Sequence, residues 1–126
     1  AVNSKVSLHF PWFAIERQVI VAGVAEKISV DESRAYFQSR PRDSQLAAWA
    51  SPQSRVLASR DVMTQQLETL SKKYADGDIP LPEFWGGFRV RPSQIEFWQG
   101  GANRLHDRFV YSLQPGERWQ IDRLAP

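Results

Sequence analysis

The stretch RQVIVAGVAEKISVDESRAYF, residues 17–37, decides the fold. Its first half is rich in Val and Ile, which reads as a long strand. Gly23 inside that run marks a bulge or a close backbone approach. In the second half the period changes. Ser29 and Glu32 have capping-box spacing, with Asp31 a second N-cap candidate, so a helix is predicted to begin there.

The flanks extend the pattern. Upstream, KVSLHF alternates apolar and polar at Val6, Leu8 and Phe10, a strand with one buried face. Downstream, the helix must stop before Pro41, because a residue preceding proline is pushed out of the helical region. Pro41 suits the first turn of a second helix through DSQLAAWA. In SRDVMTQQLETLSKKYADGD, Met63, Leu67, Leu70 and Tyr74 form one helical stripe, and Lys72 and Lys73 favour its C-terminal end. IPLPEFWGG reads as a loop punctuated by Pro and Gly. Three strand candidates follow: FRVRP into IEFWQG, RFVYSL and RWQIDRL, the last two joined by a QPGE turn at 114–117. The order strands, helices, strands predicts an α+β fold, mainly β, with an antiparallel sheet or barrel.

At 126 residues the chain reads as one domain, 1–126. Charged residues make up 24%, an ordinary globular balance. No apolar run approaches the roughly 20 residues of a spanning helix, and no basic segment precedes SLHFPWFAI to make it a signal peptide. Sixteen basic residues face 14 acidic ones, with no basic stripe of the kind that nucleic acid requires. Cysteine is absent, which removes thiol chemistry and fits a cytoplasmic protein. The two histidines, His9 and His106, lack metal-ligand spacing, so no metal site is expected. No G-x-S-x-G, G-x-G-x-x-G or phosphate-loop motif occurs.

Two clusters remain. In WQGGANRLHDRF, residues 98–109, Arg104, His106 and Arg108 share a face if the segment is a strand. The two arginines are also neighbours if it is a helix. Like charges need a compensating anion. Asp107, Glu96 or Glu117 could supply it as a surface salt bridge; a bound phosphate, carboxylate or electron-rich ring is the functional alternative. In YFQSRPRDSQ, Tyr36, Arg40 and Ser44 place a phenol, a guanidinium and a hydroxyl near a new helix start. That is either a phosphate cradle or an ordinary capped helix end.

The sequence resembles the pyridoxamine 5'-phosphate oxidase family, also called the pyridoxine 5'-phosphate oxidase family. The likeness lies in RQV at 17–19, YFQSRPRDSQLAAWAS at 36–51 with the nearby QS at 53–54, PLPEFWGGFRVRPSQIEFWQGG at 80–101, RLHDRFVY at 104–111 and the terminal WQIDRLAP. Residues 80–126 resemble its C-terminal dimerisation region. The resemblance implies an FMN-binding split β-barrel, a homodimer holding FMN in clefts at the subunit interface. It implies oxidation of pyridoxamine or pyridoxine 5'-phosphate at C4' to pyridoxal 5'-phosphate, with oxygen as electron acceptor giving hydrogen peroxide. Carried over by position, Tyr36, Arg40 and Ser44 would contact the substrate phosphate. Arg104 and His106 would meet the substrate ring as catalytic residues. Gln18, Gln53, Ser54, Trp98 and Arg108 would contact FMN.

In the family a substantial N-terminal segment precedes the first strand found here, bringing the first barrel strands and basic phosphate contacts. A barrel incomplete at its N-terminus is expected to expose sheet edges and apolar surface. The 126 residues by themselves are expected to bind FMN weakly or not at all. The alternatives are a non-catalytic split-barrel remnant that binds pyridoxal phosphate or flavin or only dimerises, and a related flavoprotein acting on another substrate.

Overall fold

The computed structural model describes residues 3–126. The chain forms two compact units, residues 1–27 with 88–126, and residues 28–87. The first is an antiparallel sheet of β1 (Lys5–Trp12), β2 (Arg17–Lys27), β3 (Phe88–Gln99), β4 (Asp107–Gln114) and β5 (Arg118–Arg123), in that spatial order. The second holds α1 (Val30–Ser39), α2 (Arg42–Ala50) and α3 (Arg60–Lys73).

Local chemistry sets the boundaries. Ser29 Oγ accepts from the backbone N–H of Glu32, whose carboxylate accepts from the N–H of Ser29 at 3.3 Å, completing the predicted capping box. Arg40 is already extended before Pro41. The register of β2 against β3 shifts between Ala22 and Gly23. A β-carbon on Gly23 would fall on the carbonyl of Arg91, so the expected bulge excludes any larger residue there. Pro92 lies in the part of β3 that pairs with β2 alone, so its missing N–H interrupts no second ladder. The turn between β4 and β5 passes through Gly116 and Glu117, both with positive φ.

The helical unit has a closed core. Phe37, Leu46 and Ile79 are buried, with Trp49, Leu70, Tyr74, Leu81 and Trp85 packed on them. The loop read from IPLPEFWGG therefore belongs to the core, since Ile79 and Pro82 are both fully buried. Backbone carbonyls in this segment are bonded by side chains: Gln38 Nε2 donates to Ile79 at 2.8 Å and Trp49 Nε1 to Pro80 at 2.8 Å. Arg42 donates to the carbonyls of Tyr74, Ala75 and Gly77, tying the start of α2 to the end of α3.

The sheet has two unlike faces. The register puts Val6, Leu8, Phe10 and Trp12 with Val19 and Val21, Ile95 and Phe97, Phe109 and Tyr111, and Trp119 and Ile121 on one side. Much of this face is exposed: Phe10, Trp12, Phe97 and Ile121 all show 40% or more of their surface. The other side carries His9, Gln18, Glu96, Trp98, Arg108 and Ser112.

Candidate functional site

On the polar side, the ladder sets three of the predicted cofactor contacts in one row. Gln18 on β2 is the direct partner of Trp98 on β3, and Trp98 is the direct partner of Arg108 on β4. A carboxamide, an indole and a guanidinium thus stand side by side across three strands, each half-buried. Neighbours hold the ends of the row. His9 Nε2 lies 2.8 Å from Gln18 Oε1. Arg108 donates through Nε to Glu96 Oε1 at 2.9 Å and through Nη2 to Oε2 at 3.2 Å, while Nη1 donates to the carbonyl of Ala125 at 3.0 Å. Donating to the Glu96 carboxylate raises the pKa of Arg108 above the ordinary arginine value, so its charge is fixed. The carboxylate considered from sequence as a counter-charge is therefore Glu96. One N–H on each terminal nitrogen of Arg108 remains for another acceptor.

The β3–β4 connection supplies the rest of this cluster. Neither a strand nor a helix carries Arg104 and Arg108 together: β4 begins only at Asp107, and Ala102–Arg104 is a 3-10 turn. Asn103 and Arg104 both have positive φ, which turns the chain before alternation can start. The expected sharing of one face is corrected accordingly. Arg104 is exposed, and among the described residues nothing bonds its guanidinium. His106 is held instead. Its ring lies 4.8 Å from that of Trp98, tilted by 41°, and the N–H of Gly101 donates to its Nδ1 at 3.2 Å. With Nδ1 accepting, the neutral ring carries its proton on Nε2, which becomes the donor available to a ligand. Gly101 is required here, because a β-carbon would fall on the carbonyl of Leu105.

The second cluster lies within the helical unit. Arg40 and Ser44 line a cleft of about 750 Å³ together with Gln53, Arg55, Trp49 and Trp85. Nη1 of Arg40 is buried and has no hydrogen-bond partner. Tyr36 is exposed and stacks on Trp85 with ring centroids 6.0 Å apart. Ser54 is exposed with φ of 63° and does not line the cleft. This cluster therefore brings together Arg40, Ser44 and Gln53, with Tyr36 joined to them through Trp85. Gln18, Trp98, His106 and Arg108 form the group on the sheet.

Three contributors escaped the sequence reading: His9, Glu96 as a bidentate partner rather than one of three candidates, and Trp85. Pairing KVSLHF with RQVIV as a hairpin would have brought His9 near Gln18. Nothing local to PLPEFWGG distinguishes Trp85 from the core tryptophans. The donor sets themselves are informative: a flat indole between an amide and a fixed cation suits a planar, electron-rich ring, and a buried guanidinium N–H beside a serine suits a phosphate oxygen.

Residues 1–74 match the family model described as pyridoxamine 5'-phosphate oxidase, and residues 85–126 match that of the pyridoxine 5'-phosphate oxidase C-terminal dimerisation region. The chain is 60% identical over 124 residues to a pyridoxine/pyridoxamine 5'-phosphate oxidase of Vibrio vulnificus, covering 98% of this chain and 58% of that protein. It is 57% identical over 126 residues to one of Shewanella baltica, covering 100% and 59%. The chain thus spans less than two thirds of the length of these curated relatives. Among solved structures it resembles PhzG from Burkholderia lata 383 in complex with tetrahydrophenazine-1-carboxylic acid, with a TM-score of 0.85, 25% identity, and coverage of 98% of this chain and 60% of that one. A pyridoxamine 5'-phosphate oxidase-related, FMN binding protein from Nostoc punctiforme shares the fold, with a TM-score of 0.67 at 14% identity over 99% of this chain and 64% of that one. The mainly β, α+β split-barrel class expected from the sequence is the class found. On the strength of matches that cover nearly all its residues, the chain belongs to the pyridoxamine 5'-phosphate oxidase family.

Proposed function

We propose that this chain acts in the FMN-dependent oxidation of pyridoxine or pyridoxamine 5'-phosphate to pyridoxal 5'-phosphate. Two electrons and two protons leave the C4' carbon and its alcohol or amine. Oxygen accepts them and becomes hydrogen peroxide; the amine substrate also takes up water and releases ammonia. FMN, when bound, supplies the two-electron relay.

The chain's own residues divide the binding work. Arg40 and Ser44 take the ester phosphate, with the Tyr36 phenol beside them. Arg104 and His106 meet the pyridine ring, the first as an exposed cation and the second as an oriented Nε2–H donor. Gln18, Trp98 and Arg108 hold the flavin, with Gln53 and Ser54 as further contacts. The Gln18 carboxamide offers both a donor and an acceptor, which suits the alternating C=O and N–H edge of a flavin. Trp98 offers a flat wall, and the remaining N–H groups of Arg108 a fixed positive charge. The working form is a cytoplasmic homodimer with FMN at the subunit interface, and residues 80–126 contribute to dimerisation.

The observation that carries this reading is a cleft lined by both Arg40 and Ser44, together with a buried Nη1 of Arg40 that has no acceptor. A buried charged donor without an acceptor is unfavourable, and a phosphate oxygen is the acceptor that removes the penalty. Oxygen uptake and peroxide release by the flavin-loaded protein test it, with pyridoxine 5'-phosphate as substrate. Stoichiometric peroxide and aldehyde are expected. Absence of both, with flavin bound, sinks the proposal. Arg40→Ala should mainly raise KM, since phosphate binding is shared by ground and transition states.

A further inference from the structure

Trp85 meets two side chains of α1 and that of Arg40, the residue that follows it. Tyr36 stacks on its indole at 6.0 Å, Phe37 meets it edge-on at 5.3 Å, and the guanidinium carbon of Arg40 lies 5.4 Å from its centroid. Phe37 is fully buried, so the indole is braced from the core. The backbone at Arg40 is fixed as well: the buried Gln45 donates through Nε2 to its carbonyl at 2.9 Å and to that of Gln38 at 3.3 Å. Arg40 is thus held at both ends, and its Nη1 still has no partner.

The choice of an aromatic neighbour matters. A carboxylate would hold the guanidinium by consuming its N–H donors, as Glu96 does with Arg108. It would also cancel the charge that attracts an anion. A ring face attracts the same cation through its quadrupole and uses none of the donors.

We infer that Trp85 is the positioning residue for Arg40, fixing its guanidinium through a cation–π contact while leaving its N–H groups to the substrate's phosphate. This rests on the reading above, in which Arg40 binds that phosphate. The contact is part of the subsite's affinity.

Inorganic phosphate, competing with pyridoxine 5'-phosphate in the flavin-loaded holoenzyme, reads the subsite directly. Trp85→Leu is expected to raise the phosphate Ki and the ester KM by about fivefold to tenfold, the range a partly buried cation–π contact supports. The change in kcat should stay within about twofold, because the lost binding is common to ground and transition states. Trp85→Phe restores most of the loss. In an Arg40→Ala background, Trp85→Leu adds nothing to the phosphate Ki, whereas a merely structural role would show in both backgrounds. Since Trp85 borders the core, stepwise fluorination of the indole at this one position gives a second measurement without a folding penalty. Fluorine drains the ring face at nearly constant volume, so Ki should climb with each substitution. A flat series, or a Trp85→Leu effect that persists without Arg40, overturns the inference and leaves the phosphate role of Arg40 standing. An unchanged phosphate Ki in Arg40→Ala alone would instead remove the assignment beneath it.

Discussion

The helical unit closes around Phe37, Leu46 and Ile79, whereas among the described apolar side chains of the sheet unit only Val110 is buried. Both units are rich in aromatic residues, but they use them differently. In the helical unit the rings face one another: Phe37 with Trp85, Tyr36 with Trp85, Trp49 with Tyr74 and Phe84. In the sheet unit Phe10 pairs with Trp12 and Phe97 with Tyr111 on a face largely open to solvent, so these rings meet without closing a core, while Trp98 and His106 pair on the other. Sixty residues of irregular helix and loop thus make a core of their own, while a regular five-stranded sheet does not. Regular hydrogen bonding does not substitute for apolar burial, because only the latter removes large areas from water. The same contrast runs through the chemistry. The cation of the sheet row is paired with a carboxylate, Glu96, whereas the cation of the helical cleft lies against a ring and keeps a terminal nitrogen without an acceptor.

The sharpest way to break this contrast is a pair of equal truncations. Phe37→Ala should cost about 3–5 kcal/mol, as expected for a fully buried phenylalanine whose site cannot collapse. Phe10→Ala, on the open face, should cost less than about 1 kcal/mol. Urea unfolding followed by circular dichroism compares them. Equal losses would mean that the open face is covered in solution and that the two units are not different in kind.

A second test moves to the sheet unit's own rigid point. Gly101→Ala puts a β-carbon onto the carbonyl of Leu105, and relief requires the 100–106 connection to move. A loss of about 1–3 kcal/mol is expected from overpacking. The bond from the Gly101 N–H to His106 Nδ1 should go with it. The His106 side-chain resonances in an NMR spectrum would report that directly. Unchanged resonances would mean that stacking on Trp98 alone holds the ring.

These positions also show what a sequence can disclose. The capping box of Ser29 and Glu32, the bulge at Gly23, the break at Pro41 and the turn at 114–117 are local devices, and each was legible because its physics is contained in a few neighbouring residues. Met63, Leu70 and Tyr74 kept their stripe, but Leu67 on the same stripe is 38% exposed. Periodicity tells which face a residue takes, not how far its neighbours extend. Ile79 and Pro82 were hidden for the opposite reason: a proline-rich segment looks like surface, and only long-range packing buries it. In the site, the family motifs located Gln18, Trp98 and Arg108, yet their alignment in one row depends on strand register, which one chain segment cannot fix. Arg104 and His106 were singled out by type, but their conformation was misjudged. Two successive residues of positive φ carry no signal stronger than a pair of glycines upstream.

A smaller effect bears on the border of the helical unit. Ser29→Ala removes the acceptor for the Glu32 N–H and should cost about 1 kcal/mol. Glu32→Gln, which preserves the reciprocal contact without the charge, should cost less. A thermal scan of both variants would separate the cap from the helix dipole; a greater loss in Glu32→Gln than in Ser29→Ala would assign the stabilisation to charge.

The smallest expected effect is at Glu117 in the β4–β5 turn, where φ is 57°. A non-glycine residue in the left-handed region is strained by roughly 1–2 kcal/mol. Glycine would remove that strain, but it gives the unfolded chain more freedom and so loses about 0.4–1 kcal/mol. The terms partly cancel, leaving a gain between about zero and about 1.5 kcal/mol for Glu117→Gly. The sheet unit decides whether the gain is visible. With so little apolar burial, its stability rests more on ladders and turns than that of the helical unit, so a turn mutation should register there if anywhere. The same class of change at Ser54, where φ is 63° in the helical unit, makes the control. If hydrogen exchange shows Glu117→Gly protecting β4 and β5 while Ser54→Gly leaves α2 and α3 unchanged, the two units draw their stability from different sources. Equal responses would show instead that one cooperative transition governs the whole chain.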